Sequence, residues 1–263
     1  MPLLKIIMPA VCDLWSYPET GFHPLAVFST RERYPREALK FAMGLFGQGQ
    51  MSLTKVMIAV DQEVDVRDFK AVSRALWRYL DATEGIHLIS PSAQDTLDFT
   101  GPAMNSGSRL LLIATRRRGK PLREKPPLAP PPPEEIDSAI LGLRPLGEAF
   151  LVVQVKKNAN ISSMKKALHS HPITRSYLFQ VLVSEDVPLD DPILLLWGWF
   201  TRFDPLQDIH PDERKVVGNR LILNFPILID ATWKKGYPKP VTFDPDVEKL
   251  VEKRWDKYGI IST

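Results

Sequence analysis

Cysteine is nearly absent. Cys12 is the only one in 263 residues, which excludes an intrachain disulfide and any cysteine-rich metal site. Long apolar runs are missing too: the best, Ile193–Trp199, is far shorter than the ~20 residues a membrane-spanning helix needs. The N-terminal Met1-Pro2-Leu3-Leu4-Lys5 has no long apolar segment ending at a small-residue cleavage site, so it does not read as a signal peptide. Excess charge of one sign is also lacking. Lys and Arg total 34 against 31 Asp and Glu, and a net charge of +3 does not mark a nucleic-acid binder. Neither a membrane span nor a nucleic-acid partner is expected, and a cytoplasmic location is the default. Glycine-rich phosphate loops are missing as well. Gly47-Gln48-Gly49-Gln50 has neither the third glycine of a dinucleotide fingerprint nor the Lys-Ser/Thr ending of a P-loop.

What is present suits a folded chain with a sizeable core, at 44% apolar and 25% charged residues. Proline is concentrated in Pro126-Pro127-Leu128-Ala129-Pro130-Pro131-Pro132-Pro133, a run without backbone donors that reads as an extended spacer. It divides the chain into a lobe at 1–125, a linker at 126–136 and a second lobe at 137–263.

The two halves share an order of elements. In the first, Leu25–Ser29 reads as a strand and Pro35–Phe46 as a helix with Leu39, Ala42, Met43 and Phe46 on one face. Val56–Val60 is a buried strand, Asp65 and Asp68 precede a helix bearing Phe69, Val72, Leu76 and Leu80, and Leu110–Ala114 is a further strand. In the second half, strands are expected at Phe150–Val155, Leu178–Val183 and Leu221–Ile229. Helices are expected at Ile161–His169, after Asp190-Asp191, and at Asp246–Tyr258 with Val247, Leu250, Val251 and Trp255 along one side. A shift of 123 positions pairs Val60 with Val183, Val64 with Val187, Asp68 with Asp191, Asp81 with Asp204 and Ile86 with Ile209. An internal duplication follows, and with it an α/β fold of two tandem lobes, each a mostly parallel sheet covered by helices.

Several small groups invite sharper readings. Asp61, Glu63 and Asp65 alternate as in a calcium loop, but Val66 and Val72 stand where that loop needs Gly and Glu. Arg116-Arg117-Arg118-Gly119-Lys120 could meet phosphates, yet no aromatic side chain interrupts it and a solvated loop is the simpler reading. His169 and His171 lack a third metal ligand nearby, so no metal site is expected. Leu194, Leu195, Leu196, Trp197, Trp199 and Phe200 make one helix apolar nearly all round, more than a single buried face requires. Trp197, Trp199 and Phe200 are therefore candidates for an interface, against the alternative that the helix is packed on every side.

Longer motifs point to a family. Pro9-Ala10-Val11-Cys12-Asp13-Leu14 followed by Gly21-Phe22-His23-Pro24-Leu25, Gly47-Gln48-Gly49-Gln50-Met51 running into Thr54-Lys55-Val56, and Thr96-Leu97-Asp98-Phe99 with Gly107-Ser108-Arg109-Leu110 and Ala114-Thr115 resemble the C-terminal region of UbiD-type decarboxylases. Trp199-Phe200-Thr201-Arg202-Phe203-Asp204-Pro205 and Ile229-Asp230-Ala231-Thr232 echo the pattern in the second half, and a doubled region resembles the menaquinone branch of that family. The resemblance implies carboxy-lyase chemistry on aromatic or unsaturated acids with prenylated FMN and a divalent metal in the complete assembly. It assigns the catalytic arginine and glutamates to earlier domains, so no catalytic residue is placed here and no cofactor is expected for the isolated chain. By the same resemblance Asp95, Leu97 and Phe99 would form pocket wall, and Lys55 could approach a cofactor phosphate or serve a structural role just before a buried strand. The implied role is a C-terminal subunit or fragment serving assembly and active-site cover, through self-association or a UbiD-like N-terminal catalytic partner. The alternative is a non-catalytic assembly protein that keeps the fold.

Overall fold

The computed structural model describes residues 2–116, 119–238 and 244–259. The first half contains α1 (Pro2–Ile7), β1 (Val11–Ser16), β2 (Leu25–Thr30), α2 (Glu37–Phe46), β3 (Val56–Asp61), α3 (Phe69–Tyr79), β4 (Ile86–Ala93) and β5 (Ser106–Ala114). The second contains β6 (Ile140–Leu146), β7 (Phe150–Val155), α4 (Ile161–Ser170), α5 (Pro172–Arg175), β8 (Phe179–Ser184), α6 (Pro192–Phe200), β9 (Ile209–Pro211), β10 (Arg214–Val217), β11 (Arg220–Leu223), β12 (Ile227–Ala231) and α7 (Pro245–Arg254).

The sheets have one topology. The first runs β1-β2-β3-β5-β4 and the second β6-β7-β8-β12-β9. In each, the three inner strands are parallel, as expected of a mostly parallel sheet, and the two edge strands are antiparallel. The inner strands are buried on both faces and read as unbroken apolar runs, which is why they are legible in the sequence.

The 123-residue shift holds in three dimensions. β3 maps onto β8 from end to end, and Ile86 and Ile209 each begin the antiparallel edge strand. Asp68 and Asp191 are both helix N-caps, accepting from Lys70 N and from Ile193 N and Leu194 N. Asp81 and Asp204 each fold a turn by accepting the amide two residues on, from Thr83 and Leu206.

Two boundaries differ from expectation. Leu221–Ile229 is not one strand: Pro226 cannot donate to a ladder, and the run breaks into β11, part of a separate β10–β11 hairpin, and β12. The C-terminal helix ends at Arg254 and tightens into a 3-10 turn at Trp255–Tyr258, with Val247, Leu250 and Trp255 exposed.

Each sheet covers its outer face with its own helix, α2 on the first and α4 on the second. The inner faces share a single core holding α3 and α6. Val27, Ile58, Phe69, Leu110 and Leu112 from one lobe meet Phe150, Phe179, Trp199, Phe200 and Ile229 from the other. The contacts are reciprocal. α3 reaches the β6–β7 turn, where Ser73 Oγ donates to Leu146 O at 2.8 Å and Arg74 pairs with Glu148 at 2.8 Å. α6 reaches the β1–β2 turn, where Trp197 lies against Gly21. Gly21 and Gly147 both have positive φ, and a Cβ on Gly147 would meet Ser73 at 2.5 Å, so the approach there requires glycine.

This arrangement corrects the interface expectation for two of its three residues. Trp199 and Phe200 are buried, with Trp199 stacked on Phe200 (4.4 Å between centroids) and edge-on to Phe150 (4.9 Å). Their partner is the first lobe of the same chain. Beyond Pro192 at its start, Ile193, Leu194 and Trp197 remain about half exposed on α6.

Candidate functional site

Between the lobes, at the amino ends of β2 and β3, lies a pocket of about 120 Å³ lined by Gly21, His23, Lys55, Asp95, Leu97, Asp98, Phe99 and Trp197. Its floor is polar. Lys55 enters β3 with its amide bonded to His23 O (3.0 Å) and its carbonyl to Leu110 N (2.9 Å), which turns the side chain inward to near-complete burial. There the ammonium pairs with Asp98 Oδ2 at 2.9 Å, bonds Thr100 Oγ1 at 3.4 Å, and lies 5.4 Å from the ring of Phe203 in the second lobe. Thr100 Oγ1 lies 3.2 Å from Phe203 O, so this cluster also ties the lobes together.

His23 is held at both ring nitrogens, Nδ1 by Asp95 Oδ2 and Nε2 by Gln50 Oε1 at 2.9 Å. Burial alone would raise the Asp95 carboxyl; the His23 bond and the amides of Leu97 and Thr96 outweigh it and hold the group below the usual carboxylate range. The rim is apolar. Leu97 is 84% exposed, and Phe99, which meets Tyr237 edge-on at 4.9 Å, and Trp197 are partly exposed.

One contributor lies in a family motif but carries no site assignment from the sequence. Arg109, near the amino end of β5, is buried with no carboxylate partner among the described residues, and burial lowers its pKa. It donates to Ser52 O, to Ala93 O (2.6 Å) and to Ser92 Oγ, and its guanidinium lies 5.1 Å from the Phe46 ring. Ser52 precedes pocket residue Leu53, and Ala93 leads into Asp95, so Arg109 pins two pocket walls at once. The motif Gly107-Ser108-Arg109-Leu110 and the buried run Leu110–Ala114 after it are the available signals.

The structure thus brings Lys55, Asp95, Leu97, Phe99 and Trp197 to one place and leaves Trp199 and Phe200 in the core behind it. Of the remaining candidates, Arg116 pairs with Asp61 at 3.6 Å, Asp65 accepts from Arg67 N, and His169 Nδ1 is 3.1 Å from Asp212. Arg117 and Arg118 lie outside the described residues. Among the described residues no group of three or more His, Cys, Asp or Glu could hold a metal ion, and no helix is long and apolar enough to cross a membrane.

Residues 1–114, the segment carrying β1–β5 and most of this pocket, match the family model of the 3-octaprenyl-4-hydroxybenzoate carboxy-lyase C-terminal domain. The chain carries a UbiD C-terminal domain. A 4-hydroxybenzoate decarboxylase subunit of Chlamydia pneumoniae is 34% identical over 260 residues, covering 98% of this chain and 43% of that protein. Both lobes therefore have counterparts there, and the chain spans less than half of the relative's length. Among solved structures, the closed form of the vanillic acid decarboxylase of Sedimentibacter hydroxybenzoicus is 25% identical, covers 50% of this chain and 28% of its own, and has a TM-score of 0.41. The UbiD-class enzyme HmfF of Pelotomaculum thermopropionicum, solved with FMN, is 19% identical with a TM-score of 0.40, covering 52% of this chain and 30% of its own.

The residues of this pocket do not fit a flavin phosphate. The Lys55 ammonium, the cation expected to meet it, is committed to Asp98. The position of Lys55 is that of a structural ion pair.

Proposed function

We propose that this chain is the C-terminal part of a UbiD-like decarboxylase for an aromatic or quinone-precursor acid, serving assembly and covering an active site carried by a separate N-terminal part. Prenylated FMN and the metal would be bound there, and carbon dioxide would be lost there. We also take residues 126–136 as the boundary between two domains of the same type, 1–125 and 137–263. The observation that carries the reading is the apolar rim of Leu97, Phe99 and Trp197 standing over a polar floor of Lys55, Asp98, Asp95 and His23. A side chain exposed as fully as Leu97, beside two partly exposed aromatics, suits a lid that closes on an aromatic substrate pocket rather than a pocket that works alone. The name of the chlamydial relative supports the substrate class.

The test mixes the purified chain with the UbiD-like N-terminal part from the same organism. Complex formation is read by size exclusion and carbon dioxide release by isotope from 4-hydroxybenzoate. The expected result is a complex with raised turnover, in which Leu97→Asp lowers turnover but leaves the complex intact. A complex that forms with unchanged turnover would instead identify an assembly protein without a part in the active site.

A further inference from the structure

The second lobe has a different cleft at the opposite end of its sheet. β7, β8 and β12 run parallel, and their carboxyl ends open into a cavity of about 500 Å³ walled by Lys156, Lys157, Ser184, Glu185, Trp233 and Lys235. In open α/β sheets the carboxyl ends of parallel strands are where ligands bind, because the loops that follow them diverge there.

The charges in this cleft are unbalanced. Asp186 is neutralised by a two-pronged contact with Arg202 at 2.9 and 2.7 Å. Lys234 turns inward to Asp208 (3.4 Å) and Asp230 (3.5 Å). Lys156, Lys157 and Lys235 have no ion-pair partner among the described residues, against the single unpaired carboxylate of Glu185. Ser184 Oγ already accepts from Trp233 N at 2.6 Å, which leaves its proton to donate. α4, ten residues long, begins at the mouth of the cleft, its positive end adding to the same field.

The corresponding cleft of the first lobe, at the carboxyl ends of β2, β3 and β5, makes the contrast. It measures about 360 Å³, and two of its cations are satisfied from within: Arg33 by Glu37, Arg116 by Asp61 and Glu63. Among the described residues, two clefts of one topology thus differ in whether their charge is balanced.

We infer that the cleft formed by Lys156, Lys157, Ser184 and Lys235 binds a phosphate-bearing small molecule. No glycine-rich loop is present, so the phosphate is met by side-chain ammonium groups and a hydroxyl rather than by a cradle of backbone amides. Trp233, 36% exposed on the cavity wall, reports occupancy.

Calorimetry on the full chain in low salt, with ADP and with inorganic pyrophosphate as separate probes, tests this. Saturable binding of both is expected, weakening as salt rises. Lys157→Glu with Lys235→Glu should weaken it at least about tenfold with the circular dichroism unchanged. Fluorescence quenching by ADP should disappear in Trp233→Phe. If neither probe binds saturably up to about 5 mM, if the charge-reversed variant binds equally well, or if adenosine binds as tightly as ADP, the inference is wrong. A charge-reversed variant that fails to fold is replaced by Lys157→Gln with Lys235→Gln, for which the same tenfold loss is required.

Discussion

Lys55 and Asp98 show how a charge can be buried without a ligand. Each is nearly sealed from water, and removing one partner strands the other in a low-dielectric site, at a cost of about 3–5 kcal/mol. Asp98→Ala should therefore lower the urea-derived unfolding free energy by that order, and adding Lys55→Met should restore much of the loss. A double variant no more stable than Asp98→Ala would mean the pair is not the reason for the cost. His169 and His210 act through protons. Burial, the largest influence on each, pushes both below the ordinary value near 6.5, so the unfolded chain binds more protons than the folded one. Their destabilising effect is absent above that ordinary value and grows as pH falls below it. Melting temperature should accordingly drop as pH is lowered through 6.5 and downwards, and His169→Gln with His210→Gln should flatten the slope just below 6.5. Single residues are the least legible scale. Leu97, Lys55 and Arg109 stand out through family motifs, but nothing in the string marks Arg109 as a buried clamp, because its acceptors Ser52, Ser92 and Ala93 come from two segments distant in sequence.

Elements are legible where burial is two-sided. β3, β5, β7 and β8 are apolar runs, and α3 and α6 announce themselves by the aspartates that cap them. The edge strands β1 and β4 are not, since Val-Cys-Asp-Leu-Trp-Ser mixes polar and apolar positions and Ile86–Ala93 contains a proline. α6 is legible as a helix but not in what surrounds it: an all-round apolar surface fits a partner protein or a second lobe equally well. The structure separates its faces. Trp199→Ala should cost about 3–5 kcal/mol by emptying the shared core, whereas Trp197→Ala, at the half-exposed rim, should stay near or below about 1 kcal/mol; chemical denaturation of the two variants checks the contrast. Gly147→Ala should destabilise as well, through both its positive φ and the approach of Ser73.

For the whole molecule, the order of elements and the 123-residue shift reveal the repeat, while the face-to-face packing of the repeats has no signature in one chain. The proline run is likewise more anchored than a spacer need be: Tyr177 donates to Leu128 O at 3.0 Å, and Arg123, just before it, bonds Trp77 O and Leu80 O. Residues 1–125 expressed alone should expose Phe69, Leu110 and Ile58 and bind a hydrophobic dye strongly, unlike the full chain; a compact, dye-silent fragment would show that the shared core is dispensable. The reciprocal reach of α3 and α6 is the contact geometry of a twofold dimer, written within one polypeptide. Two identical subunits must present two identical pockets, because any substitution appears in both. Covalent fusion lifts that rule. Where the first lobe has Lys55, the position 123 residues on is Leu178, and the ring of Phe225 is covered by the guanidinium of Arg123 at 5.2 Å. One half has been free to keep a buried lysine at that position while the other carries leucine.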